Sequence, residues 1–225
     1  MDDPVLGPAL RDVYLRLMAR YGPQAWWPAE TPFEVMVGAL LTQSVAWSNV
    51  EKAIASLKAA GALSPPALRR LPSEELARLI RPCGYYHAKA VKLKALARWL
   101  GEDCGDDLAR LFARPADRLR RELLALHGVG EETADSMILY AAGQPAFVID
   151  AYTRRILQRL GLAPDADSYA AYQGLFRDNL PADARLFNEY HALLVHLGKE
   201  VCTKKPTCPR CCLADRCPGR QTPHP

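Results

Sequence analysis

A group of cysteines near the C-terminus has the spacing of ligands for a metal centre. Five of the seven cysteines in the 225-residue chain lie in one short segment, and the odd total argues against a framework of structural disulfides. The segment reads Cys-x5-Cys-x2-Cys-x5-Cys, formed by Cys202, Cys208, Cys211 and Cys217, with Cys212 left over. Zinc sites more often combine two close pairs with a longer spacer, whereas here single cysteines flank one close pair. The spacing therefore favours a [4Fe–4S] cluster over zinc.

Basic side chains accompany these cysteines. The segment also contains the cations Lys204, Lys205, Arg210 and Arg216, against the carboxylate of Asp215. A cluster held by four thiolates is anionic, so nearby cations offset its charge, and the same cations could contact phosphates. We expect both roles, because a loop that a metal centre holds rigid presents its charges at a smaller entropic cost.

Two glycines between two predicted helices could form an anion site. Residues 126–130 read Leu-His-Gly-Val-Gly, and glycine permits backbone conformations that a side chain would block. A turn of this kind at a helix N-terminus points free N–H groups outward, where a phosphate can bind. The alternative is an ordinary turn that only joins the two helices.

Asp150 follows the glycines by about 20 residues and stands at the predicted N-terminus of a further helix. Aspartate is a favoured N-cap, and this role alone would explain the residue. A carboxylate next to a reaction centre can also stabilise a developing positive charge. The two roles are compatible, and the pattern leaves both open.

The elements that carry these residues are predicted to be helices. Apolar residues recur at spacings of three and four over residues 6–20, and Thr31-Pro32-Phe33-Glu34 has the form of a capping box that opens a second helix. Further helices are predicted at 47–60, after Ser64, after Pro72, and at 85–100, 106–114, 115–126, 133–142, 150–160, 167–178 and 183–200. Gly101 is the predicted end of the helix at 85–100. Residues 146–149 are the only strand-like run, so the predicted fold class is all-α.

The composition is that of a folded chain. Hydrophobic residues make up 49% and charged residues 24%, with a formal net charge of +4, which excludes a disordered chain. No run of 18 apolar residues is present, which excludes a transmembrane helix. Acidic residues near the N-terminus argue against a secretory signal, so we expect a cytoplasmic protein. The mild excess of positive charge permits an anionic partner.

The order of these features resembles the endonuclease III family, within the helix-hairpin-helix superfamily of DNA glycosylases. The segments LHGVGEETAD and PAFVIDAYTRRIL, with the cysteine segment, carry the resemblance, although the first cysteine gap is one residue shorter than in the family. The resemblance implies two helical domains with a DNA-binding cleft between them. One is a barrel-like domain of six helices at 24–142, and the other combines 1–23 with 143–225 and holds the catalytic aspartate and the cluster. We expect a nucleoid-associated monomer that binds double-stranded DNA containing a damaged base.

The resemblance also implies roles in base excision, which begins when a damaged nucleotide is extruded from the duplex. Asp150 matches the aspartate that stabilises the oxocarbenium-like sugar while the N-glycosidic bond breaks. Gly128, Val129 and Gly130 match the hairpin whose amides bind a phosphate. Gln43 is similar to a glutamine that fills the gap left by the extruded base. Outside the family context, Gln43 is equally well explained as a polar helix end.

Glu132 departs from the pattern of the bifunctional members, which carry a lysine two residues after the second hairpin glycine. A carboxylate cannot form a Schiff base with the sugar aldehyde. We therefore predict a monofunctional glycosylase with weak or absent lyase activity. Glu132 either contributes to the base pocket or is a solvated carboxylate at a helix N-terminus, where the helix dipole favours it.

Three tryptophans bear on the substrate. The motifs AWWPAE and LLTQSVAW resemble the 3-methyladenine glycosylase branch, and by that resemblance Trp26, Trp27 and Trp47 line a pocket and stack on the extruded base. An alkylated purine carries positive charge, which the face of an aromatic ring attracts. The alternative is that these tryptophans are core residues between the two domains. Alkylated purines are thus favoured as substrates. Oxidised pyrimidines, or a non-catalytic iron–sulfur module that binds damaged DNA, are the alternatives.

Overall fold

The computed structural model describes residues 6–220. Within this range the chain consists of helices and loops without a β-strand, which confirms the predicted all-α class. The strand-like run at 146–149 is a loop, in which Phe147, Val148 and Ile149 are almost fully buried. None of the helices in this range is long and apolar enough to cross a lipid bilayer.

The chain divides into two compact units. The central unit is Trp27–Gln144, and the terminal unit combines the chain up to Trp26 with the chain from Pro145 onward. In chain order, the α-helices of the described range are α1 (Leu6–Tyr21), α2 (Pro32–Leu41), α3 (Trp47–Ala59), α4 (Pro65–Arg70), α5 (Ser73–Leu79), α6 (Tyr86–Cys104), α7 (Leu108–Phe112), α8 (Ala116–Leu124), α9 (Glu131–Ser136), α10 (Ala151–Leu160), α11 (Tyr169–Asn179) and α12 (Ala184–Glu200). A π-helical turn at Met137–Ala141 continues α9, and short 3-10 turns occur at Arg81–Cys83, Cys208–Arg210 and Ala214–Arg216.

Local sequence signals set the start of α2. Thr31 is its N-cap, and the Thr31 hydroxyl accepts a hydrogen bond from the Glu34 amide at 3.1 Å, as the predicted capping box requires. The Glu34 carboxylate accepts a hydrogen bond from the Glu30 amide at 3.1 Å, one residue before the usual position in this motif. Pro32 at the first helical position costs no hydrogen bond, because that N–H has no partner within a helix.

The helix α6 runs to Cys104 and passes through Gly101, so the sequence-based prediction of its end was wrong. Gly101 is needed for packing rather than for termination. A Cβ atom there would lie 2.7 Å from a guanidinium nitrogen of Arg69, which is fixed by an ion pair with Asp106 at 2.6 Å. The helix ends at Gly105, whose φ of 64° suits a left-handed C-cap.

Aromatic rings form the core of the terminal unit. The ring of Phe147 stacks on that of Phe176 with centroids 3.5 Å apart, and Tyr190 meets both rings edge-on. The Tyr190 hydroxyl donates to the Leu10 carbonyl at 2.8 Å, which satisfies a buried polar atom and joins α12 to α1. This core anchors the loop that leads directly to Asp150.

Candidate functional site

A tight turn joins α8 to α9. The Val129 amide donates to the Leu126 carbonyl at 3.1 Å, and Gly128 has a φ of 80°. A type II turn places a positive φ at this position, which glycine adopts without steric cost. Gly130 is the N-cap of α9 and has no side chain to bind the first helical amides. We refer to residues 126–130 as the hairpin.

The hairpin leaves backbone donors available. Among residues 6–220, the N–H groups of Gly128 and Gly130 have no acceptor, whereas the N–H group of Val129 is used within the turn. Unpaired N–H groups at a helix N-terminus carry partial positive charge and favour an anion. The hairpin is therefore suited to bind a phosphate oxygen through its backbone.

An ion pair connects the two helices that flank the hairpin. Arg120 on α8 binds both carboxylate oxygens of Asp135 on α9, at 2.8 and 3.2 Å, and also lies 3.4 Å from the Glu131 carboxylate. The Asp135 side chain is fully buried, so loss of Arg120 would leave a buried carboxylate without its main charge compensation. The ion pair thus fixes the orientation of α8 relative to α9 and thereby restrains the hairpin between them.

The Gln43 side chain lies against the hairpin. Its amide nitrogen donates to the Gly128 carbonyl at 3.1 Å and to the Thr133 hydroxyl at 3.0 Å. Its amide oxygen accepts a hydrogen bond from the Lys92 ammonium at 2.6 Å. Both N–H donors of the amide are therefore in use. No sequence signal predicts these contacts, because the partners are 49 to 90 residues apart.

A buried lysine fixes the backbone that carries Gln43. Lys89 is only 3% exposed, and its ammonium donates to the carbonyls of Leu41, Gln43 and Cys83 at 2.9, 2.9 and 2.7 Å. Burial lowers the pKa of Lys89, because desolvation penalises the charged form. The three carbonyls match the three N–H donors of an ammonium group, so the end of α2 and the next loop are held together.

Asp150 begins α10 in the terminal unit. Its carboxylate accepts a hydrogen bond from the Thr153 amide at 2.7 Å, as expected for the predicted N-cap. The side chain is 12% exposed, and its second oxygen lies 3.8 Å from Nε2 of His191 on α12. Burial lowers the pKa of His191, although the Asp150 charge acts in the opposite direction. The carboxylate is thus fixed by a helix N-terminus next to a histidine that burial keeps neutral.

Two of the three tryptophans share a cavity in the central unit. Trp27 and Trp47 pack edge to face with centroids 5.0 Å apart, and Tyr140 lies 5.2 Å from the Trp27 ring. The two tryptophans border a cavity of about 220 Å³, whose lining also includes Glu34 and Glu51. The Trp47 indole donates to the Glu51 carboxylate at 3.0 Å. The cavity therefore combines aromatic surface with two carboxylates and the ammonium group of Lys58.

Trp26 and Glu132 lie elsewhere. The boundary between the units passes between Trp26 and Trp27, and the Trp26 ring lies 5.5 Å from the Lys199 ammonium in the terminal unit. Of the three tryptophans, only Trp27 and Trp47 line the cavity. Glu132 is the exposed second residue of α9, and its backbone carbonyl accepts a hydrogen bond from the Ser136 hydroxyl at 2.7 Å.

The four predicted cysteine ligands open onto one small cavity in the terminal unit. Its lining contains Cys202, Cys208, Cys211 and Cys217, but not Cys212. Burial raises the pKa of Cys211 to about 11, and the neighbouring thiols contribute to the rise. A thiol that resists ionisation needs a cationic centre to hold it as a thiolate. Arg159 donates to the Sγ atom of Cys202 at 3.2 Å and adds positive charge at this cavity.

Four thiols on one cavity are the type and number of ligands that a [4Fe–4S] cluster requires. Within residues 6–220, no three ligating side chains are grouped as they would be around one metal ion. In a [4Fe–4S] cluster each thiolate binds a different iron, so the sulfur atoms stand further apart than around one ion. The residues that line the cavity therefore fit the predicted cluster.

Comparison with known proteins identifies the family. A model of the HhH-GPD superfamily of base excision DNA repair proteins matches residues 37–182. The chain belongs to this superfamily. It is 42% identical to a protein of Methanocaldococcus jannaschii whose name places it among the DNA repair glycosylases, over 91% of this chain and 94% of the relative. Endonuclease III of Escherichia coli (strain K12) is 30% identical over 83% of each chain.

Solved structures of HhH-GPD proteins share the fold. The 3-methyladenine DNA glycosylase of H. pylori, bound to 1,N6-ethenoadenine, matches with a TM-score of 0.74 at 25% identity, covering 89% of this chain and 98% of that chain. A non-covalent complex of endonuclease III with DNA matches with a TM-score of 0.81 at 25% identity, covering 95% of each chain. The predicted membership of the endonuclease III family is confirmed.

Several side chains that shape the HhH-GPD hairpin were not predicted from the sequence. Lys89, Lys92 and Arg120 have the appearance of ordinary cations on amphipathic helices. Asp135 carries a weak signal, because it lies shortly before the apolar run at 137–139, where a buried carboxylate would require a charged or hydrogen-bonding partner.

Proposed function

We propose that the protein is a monofunctional DNA glycosylase, which hydrolyses the N-glycosidic bond of a damaged base extruded from double-stranded DNA. An alkylated purine is the favoured substrate. The observation that carries the proposal is the carboxylate of Asp150, fixed at the N-terminus of α10 in a chain of the HhH-GPD family. The backbone donors of the hairpin bind a DNA phosphate.

In the proposed reaction the bond between C1′ and the base nitrogen breaks, and water adds to C1′. The sugar becomes positively charged in an oxocarbenium-like transition state, which the Asp150 carboxylate stabilises. The bonding electrons leave with the base, the water oxygen bonds to C1′, and one proton is released. A positively charged alkylpurine departs as a neutral base, so it needs no proton donor on the enzyme.

The presence of a carboxylate at Glu132 supports the proposal that the protein hydrolyses the N-glycosidic bond without a lyase step. A lyase needs an amine that forms a Schiff base with the sugar. The position that the endonuclease III resemblance assigns to this amine is occupied by Glu132, which is exposed at the start of α9. We therefore expect water, rather than an amine, to be the nucleophile.

The cavity between Trp27 and Trp47 supports a cationic base as substrate. Aromatic faces attract cations, and stacking contributes roughly 1–3 kcal/mol per base. The Glu51 carboxylate adds negative charge at the same cavity, whereas the Glu34 carboxylate is paired at 3.0 Å with Lys58, which also lines the cavity. The similarity to the H. pylori 3-methyladenine DNA glycosylase points to the same class of substrate.

A [4Fe–4S] cluster is the proposed cofactor, held by Cys202, Cys208, Cys211 and Cys217. When bound, the cluster supplies a rigid cross-link within the loop. Lys204, Lys205 and Arg210 are exposed on this loop, and their charges would strengthen DNA binding without sequence preference.

A panel of oligonucleotides, each containing one lesion, tests the proposed function. Base release and strand nicking are scored separately, and the control is the Asp150→Asn variant. We expect release of 3-methyladenine without nicking, and little covalent capture by borohydride on abasic DNA. Efficient capture would show that an amine nucleophile exists and the enzyme is bifunctional. Release of oxidised pyrimidines alone would assign the other substrate class. Failure to release any base would favour a damage-binding module.

A further inference from the structure

The amide of Gln43 connects a cation to the hairpin. On one side it accepts a hydrogen bond from the Lys92 ammonium at 2.6 Å, and on the other it donates to the Gly128 carbonyl at 3.1 Å. The carbonyl of Gly128 belongs to the peptide that carries the Val129 amide, so its orientation is linked to that of the turn. A hydrogen bond to this oxygen therefore restrains the hairpin itself.

Lys92 contacts the hairpin a second time through its aliphatic stem. A Cβ atom at Gly128 would lie 2.4, 2.5 and 2.6 Å from Cε, Cδ and Cγ of Lys92. The stem thus occupies the space that the missing side chain leaves, and it packs directly on the turn. Within residues 6–220, no carboxylate lies within ion-pair distance of Lys92, so its charge is not neutralised by a partner of opposite sign.

We propose that Lys92 and Gln43 act as a hydrogen-bonded pair that sets the hairpin in the conformation that binds a DNA phosphate. Lys92 is a positioning residue, because it acts on the hairpin through Gln43 and through its stem. The inference rests on the proposed function only for the identity of the ligand. A polarised hydrogen bond from an ammonium group is stronger than a neutral one, and this makes the whole network less mobile.

This role differs from gap filling by Gln43. A glutamine that enters the duplex must first give up its hydrogen bonds to Gly128, Thr133 and Lys92. A gap exists only where a base has been extruded, whereas the hairpin meets phosphates on any duplex. The two roles therefore predict different behaviour on undamaged DNA.

The test measures affinity for an undamaged duplex by fluorescence anisotropy. The variants are Lys92→Met, which keeps most of the stem, Gln43→Met, and the double variant. We expect each single variant to weaken DNA binding by roughly fivefold. The double variant should bind no more weakly than either single variant, because both changes break the same link from Lys92 through Gln43 to the hairpin. Lys52→Met is the matched control, since Lys52 is an exposed lysine on α3 and its loss changes the net charge equally. Circular dichroism and thermal unfolding verify that each variant is folded.

A second measurement uses single-turnover base excision on a duplex from which the wild type releases the damaged base. A positioning role predicts a higher half-saturating DNA concentration for Lys92→Met, with the rate at saturation close to that of the wild type. Additive losses in the double variant would overturn the proposal. So would a loss equal to that of Lys52→Met, or a Gln43 effect confined to damaged DNA and dependent on the opposite base. Because undamaged DNA is the ligand, the affinity result stands even if no lesion is excised.

Discussion

Two helix N-termini in this protein differ in whether a side chain binds their free N–H groups. The N-cap of α9 is Gly130, which has no side chain to accept a hydrogen bond from the helix. The N-cap of α10 is Asp150, whose carboxylate binds the Thr153 amide at 2.7 Å. One helix start is therefore open to an anion from outside, and the other contains its own anion.

The surroundings of the two N-termini follow the same division. Lys92 and Gln43 bring a cation and an amide to the side of the α9 start, which favours an external phosphate. At the α10 start, burial keeps His191 neutral beside Asp150, so this histidine does not cancel the charge of the carboxylate. The N-cap residue accounts for the difference: a glycine cap leaves the helix start open to an external anion, whereas an aspartate cap supplies a carboxylate of its own.

Replacement of the internal anion is expected to have the largest effect. Asp150→Asn should lower the single-turnover rate of base excision by about 100- to 1,000-fold, because the fixed negative charge is lost at the transition state. The stability loss should stay below about 1 kcal/mol, since asparagine is an equally good N-cap. Single-turnover kinetics and urea unfolding measure the two effects.

The control for this prediction is another capping aspartate. Asp183 is the N-cap of α12 and accepts hydrogen bonds from the Arg185 and Leu186 amides. Asp183→Asn makes the same chemical change at a helix start with no proposed catalytic role, so its excision rate should equal that of the wild type. Equal rate losses in both variants would show that Asp150 acts only as a cap.

The stability of the hairpin is expected to depend on Gly128 more than on Gly130. Gly128→Ala places a side chain at a φ of 80°, and its Cβ atom would lie 2.4 Å from Cε of Lys92. We expect a loss of about 2–4 kcal/mol in the free energy of unfolding, together with weaker DNA binding. Thermal or urea unfolding measures the first effect, and anisotropy with a labelled duplex measures the second.

Gly130→Ala provides the matched comparison within the hairpin. Gly130 has a φ of −95°, and no atom lies within 4 Å of a Cβ placed there. Its stability should change by less than about 0.5 kcal/mol. If the two alanine variants are equally stable, the hairpin does not require the left-handed conformation at Gly128.

Features formed by residues close in sequence could be predicted. The Thr31 capping box, the turn at Gly128 and the Asp150 cap each depend on contacts over three or four residues, which the sequence displays directly. The prediction of a helix end failed where contacts with a distant side chain require a glycine. Gly101 looks like a helix end, but it lies inside α6, and glycine is needed there because the guanidinium of Arg69 occupies the space of a side chain.

Contacts between distant residues lay beyond the sequence analysis. Lys92 and Gln43 are 49 residues apart, and a lysine on an amphipathic helix has the same pattern whether it binds water or an amide. The same limit applies to His191, which approaches Asp150 from α12. Adjacent tryptophans also separate, because the boundary between the units passes between Trp26 and Trp27.

A pH dependence at the α10 start is expected to be smaller than the effects of Asp150→Asn on excision and of Gly128→Ala on stability. Burial lowers the pKa of His191 in the folded protein, so in mild acid the unfolded chain binds a proton that the folded chain does not. The free energy of unfolding is therefore unaffected by the titration of His191 above its pKa of about 6.5 in the unfolded chain, and it decreases as the pH falls toward the pKa of His191 in the folded protein. The free energy of unfolding should therefore fall with a slope of up to about 1.4 kcal/mol per pH unit from this residue.

Urea unfolding of the wild type and His191→Gln between pH 7 and 5 measures this contribution, because the other titrating groups are shared and cancel in the difference. The wild type should lose stability more steeply with acid than His191→Gln. The His87→Gln variant, which removes a histidine with a 63% exposed side chain, is the control. Parallel curves for the wild type and His191→Gln would mean that His191 titrates alike in both states. The carboxylate of Asp150 would then face a histidine that becomes cationic in mild acid, and the contrast between the two helix starts would weaken.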